Sequence, residues 1–292
     1  MSVSATFSSL NVTDATLATI DYYFQGCILP MIIFFGVIGN ISNIYIFTRP
    51  SLYRSCSIYF FAGAINGLVL ILFATTTRWL GHTFTKLDAT TFSLFFCRFR
   101  NYLVNIIYDL GPYFIACVTV DRYCSSSTDA RIRRLSARPQ LAYGVTFIIT
   151  LMTFIAYFHN LMFYTIINSV CQTSPGVYSQ LFSVFTTVYY FIPIILIIVF
   201  GLGTAYNVRE QRRRIAPMIV KLTGNDRRRL RDDGQILIML LVHIACYICF
   251  AMPYHITLIA AAINPSITQI PLFLFFQHVA IVALNFNQAV SN

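Results

Sequence analysis

Seven apolar runs, each close to the roughly 20 residues that a helix needs to cross a bilayer, constrain this chain more than any other feature. They fall at 24–48, 56–77, 97–123, 141–165, 178–206, 235–262 and 269–292. Only 10% of the residues are charged and 57% are hydrophobic, where a soluble domain carries roughly 25% charged residues. A water-soluble fold of 292 residues has no interior large enough to hide this much apolar surface. The expected fold is therefore an all-α membrane protein, a seven-transmembrane helix bundle with lipid as its surroundings. Turn formers punctuate the runs at Arg49-Pro50-Ser51, Arg138-Pro139, Ser174-Pro175-Gly176, Thr223-Gly224-Asn225 and Asn264-Pro265. Residues 1–23 read as a polar tail and 24–292 as the bundle.

Lys and Arg outnumber Asp and Glu by 20 to 10, and their placement says what the excess means. Arg49, Arg54, Arg131, Arg133, Arg134, Arg138 and the dense run from Arg209 to Arg231 all lie on the first, third and fifth connections. Arg78, Lys86, Arg98 and Arg100 belong to the other face. Positive-inside bias then puts the N-terminus outside and the C-terminus in the cytoplasm, in the plasma membrane. The charge is a topology signal and a lipid-surface contact, with no nucleic-acid partner implied. Residues 1–22 contain no Lys or Arg to form a charged leader, so the first span is expected to act as its own insertion signal. Asn11-Val12-Thr13 is a glycosylation sequon, useful only outside, whereas Asn40-Ile41-Ser42 lies within the first span.

The eight cysteines do not form the paired C-x-x-C…C-x-x-C spacing of a zinc site, Cys246 and Cys249 being a lone pair, and no metal or other cofactor is expected. Cys246 and Cys249 read as packing inside an apolar helix. Cys97 at the outer end of the third span and Cys171 in the loop before the fifth fall on the same oxidising face. They are either a disulfide that restrains an outer loop or two unpaired thiols. At the inner end of the third span stands Asp121-Arg122-Tyr123, an ionisable cluster where charge is expensive and so a candidate working part.

These seven spans, the outside N-terminus, Cys97, Cys171 and Asp121-Arg122-Tyr123 together resemble the rhodopsin-like family of G-protein-coupled receptors. The 25 residues from Cys97 to Arg122 match the family's spacing, as do Gly39-Asn40, Pro193 and Pro253 at helix core and pivot positions. The chain stops at Asn292, where the family's Asn-Pro-x-x-Tyr motif would begin, so the seventh helix is expected to be cut short with no eighth helix or tail. There are departures as well. Asn66 stands where the family usually has an aspartate, and Gly111 where serine is common, which predicts poor sodium binding. Ala251 replaces the usual aromatic two residues before Pro253. Gly111-Pro112 is expected to kink or loosen the third helix.

The resemblance implies a receptor that binds an extracellular ligand and activates a heterotrimeric G protein; it implies no enzyme. Asp121, Arg122 and Tyr123 would serve coupling. Asp121 is a local partner for Arg122, and Asp233, about 30 Å cytoplasmic of Pro253 along a helix, is a second; Asp233 is also read as a cap at the start of the sixth span. Ligand contacts are expected from Asn101, Val104, Asn105, Tyr108, Tyr254, His255 and His278. Val104 occupies the place of the aspartate in amine receptors, which argues against a monoamine. Asp109 is either a ligand or switch element or a carboxyl bonded to a neighbouring helix. Tyr164–Asn168 and Ser174–Tyr178 flank Cys171 in a candidate hairpin lid. Such a lid over a polar pocket resembles peptide receptors, so a neuropeptide is the leading ligand. A chemosensory receptor for small molecules is the alternative. A secondary transporter or channel would call for inverted repeats and charged residues at the midplane, and Asp109 alone answers to that.

Overall fold

The computed structural model describes residues 2–50, 55–84, 88–136, 138–215 and 248–290, with 242, 245 and 246. In chain order the elements are α1 (Ser2–Phe47), α2 (Ser55–Thr83), α3 (Leu94–Ser126), α4 (Ala130–Ser136), α5 (Pro139–Ala156) and α6 (Asn160–Phe163). There follow strands β1 (Tyr164–Ile167) and β2 (Val170–Thr173), then α7 (Val177–Ile215), α8 (Ile248–Ile263) and α9 (Pro271–Val290). Among the described residues, six helices are long and apolar enough to span a bilayer, and α8 is a shorter apolar helix. The bundle is thus the expected membrane architecture. Of the predicted span 235–262, the part before residue 248 lies largely outside the described residues.

The segment 1–23, read as a polar tail, is helical from Ser2 and continues without a break into the first span. No proline precedes Pro30, and Thr19 satisfies its hydroxyl on Ala15 O at 2.8 Å, so nothing interrupts the helix. The third helix continues unbroken through Pro112.

Helix α3 is the centre of the bundle: 67% of its most apolar window is buried, against 17% for the helix containing α5. The outward faces carry Phe147, Ile155, Ile195 and Leu202, all exposed, as expected where lipid is the solvent. Ile115 and Ala116 of α3 form one core cluster with Tyr190, Ile194 and Ile197 of α7, Ala251 of α8 and Leu284 of α9. Ala251 is fully buried there.

Within hydrocarbon a carbonyl without a donor costs several kcal/mol, and proline creates one four residues before itself. Two of the intrahelical prolines are answered from a neighbouring helix. Pro112 leaves Tyr108 O, which accepts from Gln288 Nε2 of α9 at 3.0 Å. Pro193 leaves Tyr189 O, which accepts from Tyr113 Oη of α3 at 3.2 Å. Gly111 makes the first contact possible, since a Cβ there would sit 2.4 Å from Gln288 Oε1. Gly111-Pro112, expected to kink or loosen the third helix, is thus also a docking notch for the seventh helix.

Replacing Gln288 with Leu should destabilise the protein by about 0.5–2 kcal/mol, the usual range for an interhelical hydrogen bond in a membrane. Gly111→Ala displaces the same amide, so the double variant should cost clearly less than the sum of the singles. Unfolding in mild detergent measures this; additivity within about 0.3 kcal/mol would contradict the notch.

Candidate functional site

A cavity of about 210 Å³ lies between α2, α3, α7, α8 and α9, beside β1. On α3 the run Arg100, Val104, Tyr108 has helical spacing, and all three line it, together with Asn101, Asn105 and Asp109. Tyr254 and His255 come from α8, Thr186 and Tyr190 from α7, and Tyr164 from β1. Seven of the eight pocket residues read from the sequence thus meet in one place. The exception is His278, which does not line the cavity. Its Nδ1 lies 2.7 Å from Asp21 Oδ2 on α1, a pairing between residues far apart in the chain.

The lid is held by covalent and polar links. Cys97 and Cys171 form a disulfide with Cα atoms 5.7 Å apart. Asn101 Nδ2 donates to Cys97 O at 2.9 Å and to Cys171 Sγ at 3.0 Å. Strands β1 and β2 pair antiparallel, with Ile166 opposite Cys171. Asn168 and Ser169 both have positive φ, 51° and 60°, the conformation that a two-residue hairpin turn demands and that asparagine tolerates. Arg98 Nε anchors β1 by donating to Tyr164 O at 2.9 Å.

Behind the lining residue Tyr108 lies a polar hub. Asn285 of α9 is fully buried, and its Oδ1 accepts from Tyr108 Oη at 2.7 Å and from Thr75 Oγ1 at 2.9 Å. Thr75 reaches it because residues Leu70–Thr75 form a π-helical turn in α2, a bulge often found at functional sites. Thr76 Oγ1 bonds to Ile71 O, five residues back, at 2.8 Å, and so helps to stabilise the bulge. Asn66, one turn below, donates to Ile107 O at 2.9 Å. Asn40 of α1 donates to Gly36 O at 2.8 Å. Asp109 accepts a hydrogen bond from Tyr157 Oη, which answers one of its two readings; it also keeps a place in the cavity wall.

At the far end of α3 the triplet is arranged differently from expectation. Asp121 and Arg122 do not pair. Neighbours in a helix point about 100° apart and do not face each other. Instead Asp121 Oδ1 accepts from Ser136 Oγ at 2.8 Å, and Ser55 Oγ donates to Ser136 O at 2.7 Å, which pins α4 to α2 and α3. Arg122 Nη2 lies 2.9 Å from Cys56 Sγ. Its Nε is buried without a partner among the described residues. Tyr123 packs on α7, edge-on to Phe200, in a gap kept open by Gly203, where a Cβ would approach its ring to 2.9 Å. Asp233, the expected latch partner, lies outside the described residues, as does the Asn11 side chain. Cys249 is exposed and so faces away from the core.

Sequence reasoning missed Arg78, Arg100 and Tyr164 as cavity residues and counted the two arginines only as loop charge. Arg100 was within reach: it stands four residues before Val104 on the same helical face. Arg78 was not, because the π turn changes which way the end of α2 points.

The family model described as 7 transmembrane receptor (rhodopsin family) matches residues 39–290. No curated protein matches the chain.

Removing the Tyr157 hydroxyl strands a buried carboxyl. Tyr157→Phe should cost about 1–3 kcal/mol, and adding Asp109→Leu should recover much of that loss. Thermal melts of the purified protein test this; a Tyr157→Phe variant that melts like the parent would contradict it.

Proposed function

The chain belongs to the rhodopsin family of seven-transmembrane receptors, and from that premise we propose that it binds an extracellular ligand, foremost a neuropeptide, and activates a heterotrimeric G protein. The hairpin end would face the outside of the plasma membrane and the Asp121-Arg122-Tyr123 end the cytoplasm, in accord with the loop charges. The observation that carries the ligand reading is the convergence of Asn101, Val104, Asn105, Tyr108, Tyr254 and His255 on one cavity beside a disulfide-linked hairpin. Its about 210 Å³ is below the roughly 300–1,000 Å³ of pockets that enclose a drug-sized ligand. A peptide would therefore insert one terminal residue and lay the rest along β1 and β2. The same volume favours the second reading, a chemosensory receptor that encloses a small molecule.

Coupling would run from the cavity floor to Arg122. A ligand shifts the receptor only if it binds the active arrangement more tightly, and the Asn285 hub joins α2, α3 and α9 directly under the cavity. The buried Nε of Arg122, unpartnered among the described residues, supports an additional acceptor there, a role we assign to Asp233 in the resting state. Pro193 and Pro253 are the proposed pivots, and Arg131, Arg133 and Arg134, all exposed, would lie near anionic lipid or the G protein.

In cells expressing the receptor, a synthetic peptide library and a small-molecule panel should separate the two ligand readings by which one stimulates nucleotide exchange. Arg122→Ala should lower exchange stimulated by an active pool at least about tenfold while leaving the pool's binding within about threefold. Asp233→Asn should raise basal exchange. Full stimulation in Arg122→Ala would refute the coupling role.

A further inference from the structure

The cavity wall carries two half-buried cations that its own carboxylates do not neutralise. Arg78 and Arg100 both line it. Among the described residues, Arg78 bonds through Nη2 to the neutral Gln25 Oε1 at 3.0 Å, and its Nε is buried with no partner. Arg100 Nε donates to Thr77 Oγ1 at 3.0 Å. A charge taken out of water is normally paired, so the anions nearby have to be accounted for. Asp21 is held by His278 at 2.7 Å and by Gln25 Nε2 at 2.9 and 3.0 Å. Asp88 caps the turn after it through Thr90 N at 2.9 Å and Thr90 Oγ1 at 2.6 Å. Asp109, the one carboxylate in the wall among the described residues, is engaged by Tyr157. Asp21 and Asp88 act on the arginines only through space, and among the described residues none of the three carboxylates is hydrogen-bonded or ion-paired to Arg78 or Arg100.

A second observation lies across the cavity. His255 is only 2% exposed, its ring centre lies 4.1 Å from that of Tyr190, and among the described residues neither ring nitrogen has a hydrogen-bond partner. The wall therefore offers guanidinium donors on the α2–α3 side and an unused imidazole on the α8 side. Two cations against one engaged carboxylate leave the lining net positive.

We propose that the ligand enters this cavity with a carboxylate, which Arg78 and Arg100 grip while a polar atom further along the ligand bonds His255. The proposal rests on the reading of the cavity as the ligand site and adds the charge of the group it takes. Guanidinium forks suit planar carboxylates and hold them through two donors at once. The source is either the free C-terminus of a peptide or a small organic acid, and both share this chemistry.

Benzoate, benzamide and benzylamine differ mainly in charge and fit a cavity of this size. The receptor, reconstituted in lipid nanodiscs, is melted in each probe at up to about 10 mM. Benzoate should raise the melting temperature saturably by about 2 °C, and the other two should give less than half of that. Arg78→Gln and Arg100→Gln should each weaken the benzoate midpoint about tenfold, as loss of a charge-assisted bond does. Arg100→Gln carries the readout alone if Arg78→Gln does not fold. Equal effects of benzamide, a preference for benzylamine, arginine variants that respond like the parent, or no response to any probe would each overturn the proposal. Val104→Trp, which fills the cavity, distinguishes the two layers of the argument. If it removes the benzoate effect while the arginine variants keep it, the site stands and the anion grip fails. A benzoate effect that survives Val104→Trp shows that the probe binds elsewhere, and the site reading falls with it. Once benzoate has passed, matched peptides ending in a free acid or an amide, beside free organic acids, separate the two sources.

Discussion

Inside a bilayer no water is at hand to rescue a backbone carbonyl, and this constraint shapes the bundle more than any single apolar contact. Pro112 and Pro193 each free one carbonyl on the helices that build the cavity. Gln288 and Tyr113 answer them from across the helix interface, so the prolines become points of attachment. The contact at Pro112 also orients the seventh helix, because Asn285 is one turn from Gln288 on the same face of α9. The residue that satisfies the backbone and the residue that holds the Tyr108 hydroxyl are set by one docking event.

That coupling ties the two ends of the molecule together physically. Tyr108 shares its carbonyl with Gln288 and its hydroxyl with Asn285, while its ring lines the cavity. A ligand that presses on Tyr108 therefore works on the contact between α3 and α9. Further along α3, Tyr113 holds α7 at Pro193 and Tyr123 packs against Gly203 of the same helix. These contacts form a row of packed elements from Tyr108 at the cavity to Tyr123 beside Arg122. The proposed coupling would run along it without the aromatic residue missing at Ala251.

Much of this was legible in the residues. The apolar runs and loop charges indicated the bundle, and the 3.6-residue period put Asn101, Asn105 and Tyr108 on one face. The segments that flank Cys171, Tyr164–Asn168 and Ser174–Tyr178, marked the hairpin. What was not legible depended on contacts far apart in the chain or on departures from regular helix. His278 meets Asp21 across nearly the whole sequence, so no local pattern could assign it away from the cavity. Arg78 turns inward after a π turn that periodicity does not register. The Asp121–Arg122 pair was a misjudgement of geometry, since adjacent helical residues diverge; the structure gives each a different partner, Ser136 and Cys56. At Pro112 the lost donor and the clash with the preceding turn predict a kink or loosening, whereas the acceptor that the proline exposes finds its donor only in a residue 180 positions away.

The central claim is that the cavity opens at the hairpin end and that this end faces the outside of the cell. It is tested most directly by thiol labelling on intact cells with a membrane-impermeant reagent. Val104→Cys in the cavity wall should label from outside above the parent's background. Ser125→Cys, exposed at the opposite end of α3, should label only after the membrane is made permeable. The reverse pattern, or a Val104→Cys that never reacts, would contradict the account.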